Sequence, residues 1–166
     1  MAKKNTDLAR QVVTNFIEHR TSDLAQFGKL VVEDCQLKES VKKGLIEIAK
    51  GEESFEDIHL REAALNVMAA LGLTKSQDVH RKLCDLFTVA FDKHALQELA
   101  AFEALPKTKR CGLLCSRMNF LQSLLRALLH VNEERGLVIG REVAEIFAGT
   151  RFSGKITRWV TSASQL

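Results

Sequence analysis

The chain has 166 residues, of which 46% are hydrophobic, and a formal net charge of +3 at pH 7. That length suffices for one domain or for two small, tightly joined ones, and the apolar content excludes a disordered chain. With one proline, nine glycines and no tyrosine, the chain carries few helix breakers and few strand signals. The composition therefore predicts an all-α fold.

Four amphipathic helices are predicted in the first part of the chain, joined by short links. Their approximate ranges are residues 6–19, 22–31, 39–50 and 58–71. Gly51 is expected just after the third helix, and Gly72 is expected to stop the fourth. These four helices suffice for an antiparallel bundle over residues 1–73.

A second group of four or five helices is predicted over residues 74–166. Their approximate ranges are 76–91, 94–105, 112–131, 137–148 and 152–160, with residues 132–136 as a linker. Asp92 separates the first two of these helices, and Pro106 ends the second. The predicted architecture is two packed antiparallel bundles of about four helices each.

The N-terminal residues, the length of the apolar runs and the cysteines indicate the compartment in which the chain is made. No apolar run reaches the ~20 residues that span a bilayer, and residues 1–7 lack the apolar core of a signal peptide. The four cysteines (Cys35, Cys84, Cys111 and Cys115) lie in apolar helical patterns, which favours buried free thiols. Cys111 and Cys115 share a helix face, but no second ligand pair follows. We expect synthesis in the cytosol or nucleus, no metal site and no cofactor.

Charge is distributed unevenly along the chain. Residues 1–72 hold 10 basic and 12 acidic residues, whereas residues 73–166 hold 14 and 9. Two stretches of the second part carry cations with no acid, residues 104–132 and residues 146–166. Such one-sided charge attracts phosphate in nucleic acids or lipid headgroups, although an ordinary solvated face explains it equally well.

Catalytic signatures are missing from the sequence. It has no Gly-rich phosphate loop after a strand and no Gly-x-Ser-x-Gly elbow, and its five histidines lack metal-ligand spacing. We therefore expect a protein that is not an enzyme.

Three stretches, taken in order, resemble the orthomyxovirus matrix proteins. They are residues 35–48 (CQLKESVKKGLIEI), residues 80–83 (HRKL) with the helix that follows, and residues 111–118 (CGLLCSRM). The likeness covers roughly residues 35–120. Cys84 and Asp85 replace two further cations of the influenza basic cluster, so only Arg81 and Lys82 correspond to it. We expect a member distant from influenza and nearer the thogotoviruses.

The resemblance implies a viral matrix protein, of which this chain forms the N-terminal and middle part. Such a protein polymerises beneath the virion envelope, bridges the anionic inner membrane surface and the ribonucleoprotein or RNA, and passes through the host cytoplasm and nucleus. We expect two basic surfaces that contact anionic partners. The first consists of Arg81, Lys82, Lys107, Lys109, Arg110, Arg117 and Arg126; the second consists of Arg151, Lys155 and Arg158.

A helix-turn-helix DNA-binding regulator is the alternative interpretation, based on residues 140–160. Gly149 marks the turn, and Ser153, Lys155 and Thr157 would contact base edges from the second helix. The turn looks about two residues too long for the motif. Two packed helices, with Trp159 as a core or hinge residue, explain the same pattern.

The resemblance also implies a layer that loosens at acidic pH. Histidine has an unperturbed pKa of ~6.5, and His80, His94 and His130 lie near predicted helix ends or basic segments, as does His19. His80 is the first candidate, because a third cation beside Arg81 and Lys82 would concentrate like charge. We expect self-association to fall between about pH 7 and 5.

Overall fold

The computed structural model of the chain describes residues 9–14, 35–51, 55–109 and 112–166. All regular structure in these ranges is helical, and no strand occurs there. This confirms the predicted all-α fold. The predicted helix over residues 22–31 lies outside the described ranges.

Seven α-helices and two short 3-10 turns follow the helical residues 9–14 in the described part of the chain. The helices are α1 (Cys35–Ala49), α2 (Phe55–Ala70), α3 (Gln77–Ala90), α4 (Lys93–Glu103), α5 (Leu113–Leu128), α6 (Glu134–Ile146) and α7 (Arg151–Ser164). The 3-10 turns are Leu73–Lys75 and Lys107–Lys109. Two compact units result, residues 1–79 and 80–166, whereas the sequence placed the boundary after residue 73. The arrangement as two four-helix bundles stays a prediction.

In the first unit, α1 packs against α2. The described apolar side chains of α1 are buried, with Leu45 fully enclosed. Arg61 of α2 is also buried, and its Nε donates a hydrogen bond of 2.8 Å to the Ala49 carbonyl at the end of α1. A cation at this position satisfies an orphan carbonyl and complements the helix dipole. The polar contact therefore fixes where α2 crosses the end of α1.

The predicted breaks between helices are largely confirmed. Gly72 follows α2 at φ 70°, a left-handed conformation that favours glycine. Asp92 separates α3 from α4 and caps α4, since its Oδ1 accepts a 2.7 Å hydrogen bond from the Ala95 backbone N–H. One boundary was wrong: α6 begins at Glu134, so Arg135 and Gly136 belong to a helix and not to a linker.

Helix α6 accepts glycine at residue 136 because that position packs very closely. A Cβ on Gly136 would lie 2.9 Å from His80 Nε2 and 3.0 Å from the Leu128 carbonyl oxygen. The sequence prediction counted this glycine as a break, but the neighbouring helices need its missing side chain.

The second unit is organised around α5 and the pair α6 and α7. Helix α5 buries most of its side chains, including Leu121, Leu124 and Leu125. At Gly140, α6 approaches α7 very closely, because a Cβ there would lie only 2.7 Å from Val160 Cγ2. The two helices therefore pack with almost no space between them at this point.

We expect Gly140→Ala to destabilise the protein. The added methyl group overlaps Val160 and also meets Leu129 at 3.1 Å, and overpacking of this kind costs about 1–3 kcal/mol, of which better helix propensity returns up to about 1. Gly154→Ala is the matched control, since nothing lies within 4 Å of its Cβ position in α7. That variant should gain about 0.5–1 kcal/mol. Urea unfolding of both variants measures the difference, and equal stabilities would contradict the close packing.

Candidate anionic-surface site on the last helix

Helix α7 has a well-defined start that fixes its register. Thr150 is the N-cap, and its Oγ1 accepts a hydrogen bond from the Ser153 backbone N–H. Ser153 Oγ donates a 2.9 Å bond back to the Ala144 carbonyl of α6. The first turn of α7 is thus tied to α6 by polar contacts as well as by packing.

The apolar face of α7 is buried in the second unit. Phe152, Ile156, Val160 and Ala163 are all buried, and they follow the helical spacing of three or four residues. Phe152 also packs edge-on against Phe147 at a centroid distance of 5.0 Å. Burial of this face determines which residues of α7 point to solvent.

The opposite face of α7 carries the second predicted basic surface. Lys155 and Arg158 follow Arg151 by four and seven residues, which places all three within about 60° of arc around the helix. Arg151 and Arg158 are exposed and Lys155 is half-buried, while α7 contains no acidic residue. The structure therefore brings these three cations together as one stripe, called the α7 basic stripe below.

An aromatic side chain borders the α7 basic stripe. Lys155 Nζ lies 5.7 Å from the Trp159 ring centroid, within cation–π range. Trp159 is half-buried and rests edge-on against the buried Phe152 at 6.4 Å. Sequence reasoning allowed Trp159 a core position. It missed that this ring meets both the core and a cation, although the four-residue spacing to Lys155 was a visible signal.

The first predicted basic surface is not one continuous face. Arg117 and Arg126 both lie in α5, but nine residues separate them, which corresponds to about 180° around the helix and about 13 Å along it. Lys107 and Lys109 are exposed in the 3-10 turn before α5. Arg110 lies outside the described residues. Of the remaining two, Arg81 is exposed and Lys82 half-buried, in α3.

His80 is a core residue, contrary to the reason for choosing it as a pH sensor. Its side chain is 4% exposed, and its Nε2 lies 3.1 Å from the Leu128 carbonyl oxygen. Because only a protonated ring nitrogen donates to a carbonyl, this distance indicates the Nε2–H tautomer. A buried ring does not lie on the surface with Arg81, so the reason for choosing His80 does not hold. His94 and His130 are exposed, so acid sensitivity stays a prediction for those two, and His19 lies outside the described residues.

Cys84 lies beside His80 in the same core. Its Sγ is 3.6 Å from His80 Nδ1, the remaining nitrogen of the ring. Burial raises the pKa of the Cys84 thiol, an effect that the nearby Arg135 guanidinium opposes. A protonated, fully buried thiol is a poor nucleophile. Cys84 is therefore a packing residue, as predicted. Cys115 is a half-buried free thiol, and Cys111 lies outside the described residues.

The helix-turn-helix interpretation depends on the link between α6 and α7. Phe147 to Thr150 separate the two helices, with Gly149 at φ 85°. A turn of four residues has the length typical of the motif. Of the three residues predicted to contact bases, Ser153 is bonded to α6, Lys155 is half-buried and Thr157 is exposed.

Comparison with family models, with curated proteins and with solved structures finds no match for this chain. None of the described helices is both long and apolar enough to cross a membrane. Within the described residues, no three His, Cys, Asp or Glu side chains converge as metal ligands.

We expect His80→Leu to lower the free energy of unfolding by about 1–3 kcal/mol at neutral pH, because the buried Leu128 carbonyl loses the donor that the imidazole provides. His94→Leu makes the same change at an exposed position of α4 and should stay within about 0.5 kcal/mol of the wild type. Urea denaturation measures both. Equal, small effects would place His80 at the surface.

Proposed function

We propose that this protein is a viral matrix-type structural protein, not an enzyme, which binds an anionic surface through the α7 basic stripe. The stripe itself carries the proposal, since three cations share one helix face without an acid on that helix. The ordered likeness of residues 35–120 to the matrix family supports it independently. In this role the protein would assemble with itself beneath a virion envelope as a peripheral membrane protein, and would also visit the host cytoplasm and nucleus.

The strength expected of a single stripe suits a layer and not a tight complex. Each cation close to an anionic membrane contributes about 1 kcal/mol, so three give an attraction near 3 kcal/mol, which alone corresponds to binding weaker than about 1 mM. Repetition of the stripe across a layer raises the overall avidity by orders of magnitude. Self-assembly is therefore a physical requirement of the proposed function.

Lipid headgroups and ribonucleoprotein offer the same phosphate chemistry to the α7 basic stripe. Trp159 adds an amphipathic ring at its edge, which suits the boundary between headgroups and acyl chains. For this reason we propose the membrane as the partner of the stripe. RNA, bound without sequence preference, is a further proposed partner of the protein.

The test is cosedimentation with vesicles that contain phosphatidylserine. Replacing Arg151, Lys155 and Arg158 by Gln should weaken binding about 100-fold, from the loss of about 3 kcal/mol. Replacing the exposed Lys43, Lys50 and Lys75 of the first unit by Gln is the matched control, because it lowers the net charge from +3 to 0 in the same way. Equal losses in the two variants would assign the binding to net charge and reject the stripe.

A helix-turn-helix regulator is the second candidate, favoured by the four-residue turn between α6 and α7. Such a regulator selects particular sequences from a pool of random duplex DNA, whereas a matrix protein binds DNA, RNA and anionic vesicles alike, with affinity that falls as salt rises. Repeated rounds of selection from a random duplex pool distinguish the two. Enrichment of one sequence, lost in Lys155→Ala and Thr157→Ala, would establish the regulator.

A further inference from the structure

A groove opens in the surface of the second unit, lined by α3, α4 and α6. Its volume is about 740 Å³, and its floor is formed by the buried side chains of Phe87, Phe91, Leu96 and Ile139. Apolar side chains at the base of an open groove provide a surface that gains free energy when an apolar group covers it.

The rim of this groove is acidic. Asp92, Glu142 and Glu145 line it together with a single cation, Lys93, and all four residues are exposed. The groove thus combines an apolar floor with a formal charge of −2 at its edge. Its occupant should carry apolar side chains flanked by cations.

A segment with this chemistry lies elsewhere in the same unit. Leu105 and Leu113 are 42% and 53% exposed, which makes them two of the few large apolar side chains on the described surface. Exposed Lys107 and Lys109 lie between them, and Arg110 adds a further cation in the sequence. We call residues 105–109 together with Leu113 the basic segment. The α7 basic stripe lacks such exposed aliphatic side chains and fits the groove less well.

The two surfaces lie at opposite ends of α4. Lys93 and Leu96, from the first turn of α4, line the groove, whereas the basic segment follows the last turn. Eleven residues of helix separate these ends by about 15 Å, and the 3-10 turn that follows is closed by a 2.9 Å bond from Lys109 N–H to the Pro106 carbonyl. A chain therefore does not place its own basic segment in its own groove.

We propose that the acid-rimmed groove of one copy binds the basic segment of a second copy. Since the two surfaces differ, the contact is heterologous, and repetition produces an open chain of copies and not a closed dimer. This inference rests on the proposed layer-forming function and supplies the contact that joins neighbouring molecules.

Paired charge reversals test the contact by sedimentation velocity over a range of concentrations. Glu142→Lys with Glu145→Lys, or Lys107→Glu with Lys109→Glu, should each weaken self-association by on the order of tenfold or more, because like charges then face each other. The four substitutions combined restore opposite charges and keep the net charge at +3, so association should return to near the wild-type level.

Glu47→Lys with Glu98→Lys is the control for net charge. It reaches the same +7 as the Glu142 and Glu145 pair, from exposed positions outside the groove. The proposal would be overturned if either charge-reversal variant self-associated as strongly as the wild type. It would also be overturned if the combined variant stayed dissociated. A monomeric wild type would overturn it as well.

Vesicle binding separates this inference from the proposed function. If self-association ignores the reversals while the triple Gln variant of α7 still loses membrane binding, the contact is wrong and the membrane role stands. If the reversals dissociate the copies while the α7 variant binds vesicles normally, the contact stands and the membrane role fails.

Discussion

The close approach of α6 and α7 at Gly140 is the constraint on which the surface chemistry of the second unit depends. Burial of Phe152, Ile156 and Val160 against the rest of the unit fixes the rotation of α7. A shift of one residue would turn the helix by about 100°, and in one of the two senses it would carry the basic stripe into the buried face. The polar bonds of Thr150 and Ser153 hold the same register. The position of the cations thus follows from packing, and no direct contact between the cations is needed.

Local patterns in the sequence were sufficient to predict most of the described helices and the residues of the α7 basic stripe. Apolar spacing located most of the described helices, and Asp92 and Gly72 identified two of their boundaries because capping and left-handed turns need particular residue types. The stripe was predictable because spacing of four and seven residues keeps side chains on one helix face. The same rule places Arg117 and Arg126 on opposite sides of α5, so the first predicted set of cations does not form one continuous face.

Tertiary contacts account for the features that the sequence did not reveal. His80 and Arg81 are neighbours in the chain, yet His80 is buried and Arg81 is exposed. The sequence does not indicate that the His80 imidazole forms a hydrogen bond with the Leu128 carbonyl of α5. Gly136 was taken as a linker residue because its role depends on His80, 56 positions earlier in the chain. The groove could not be predicted from the sequence either, because three separate helices supply its lining.

Helix α6 relates the two proposed surfaces to each other. Gly140 and Val143 lie on its buried side, which positions α7, whereas Glu142 and Glu145 lie on its exposed side at the groove. One rigid helix therefore sets both the basic stripe and the acidic rim. If copies associate through the groove, each added copy contributes another stripe in a fixed orientation, and weak attractions to an anionic surface add along the chain. Opposite charges on separate faces allow the protein to bind itself and a polyanion simultaneously, because the two partners do not compete for the same side chains.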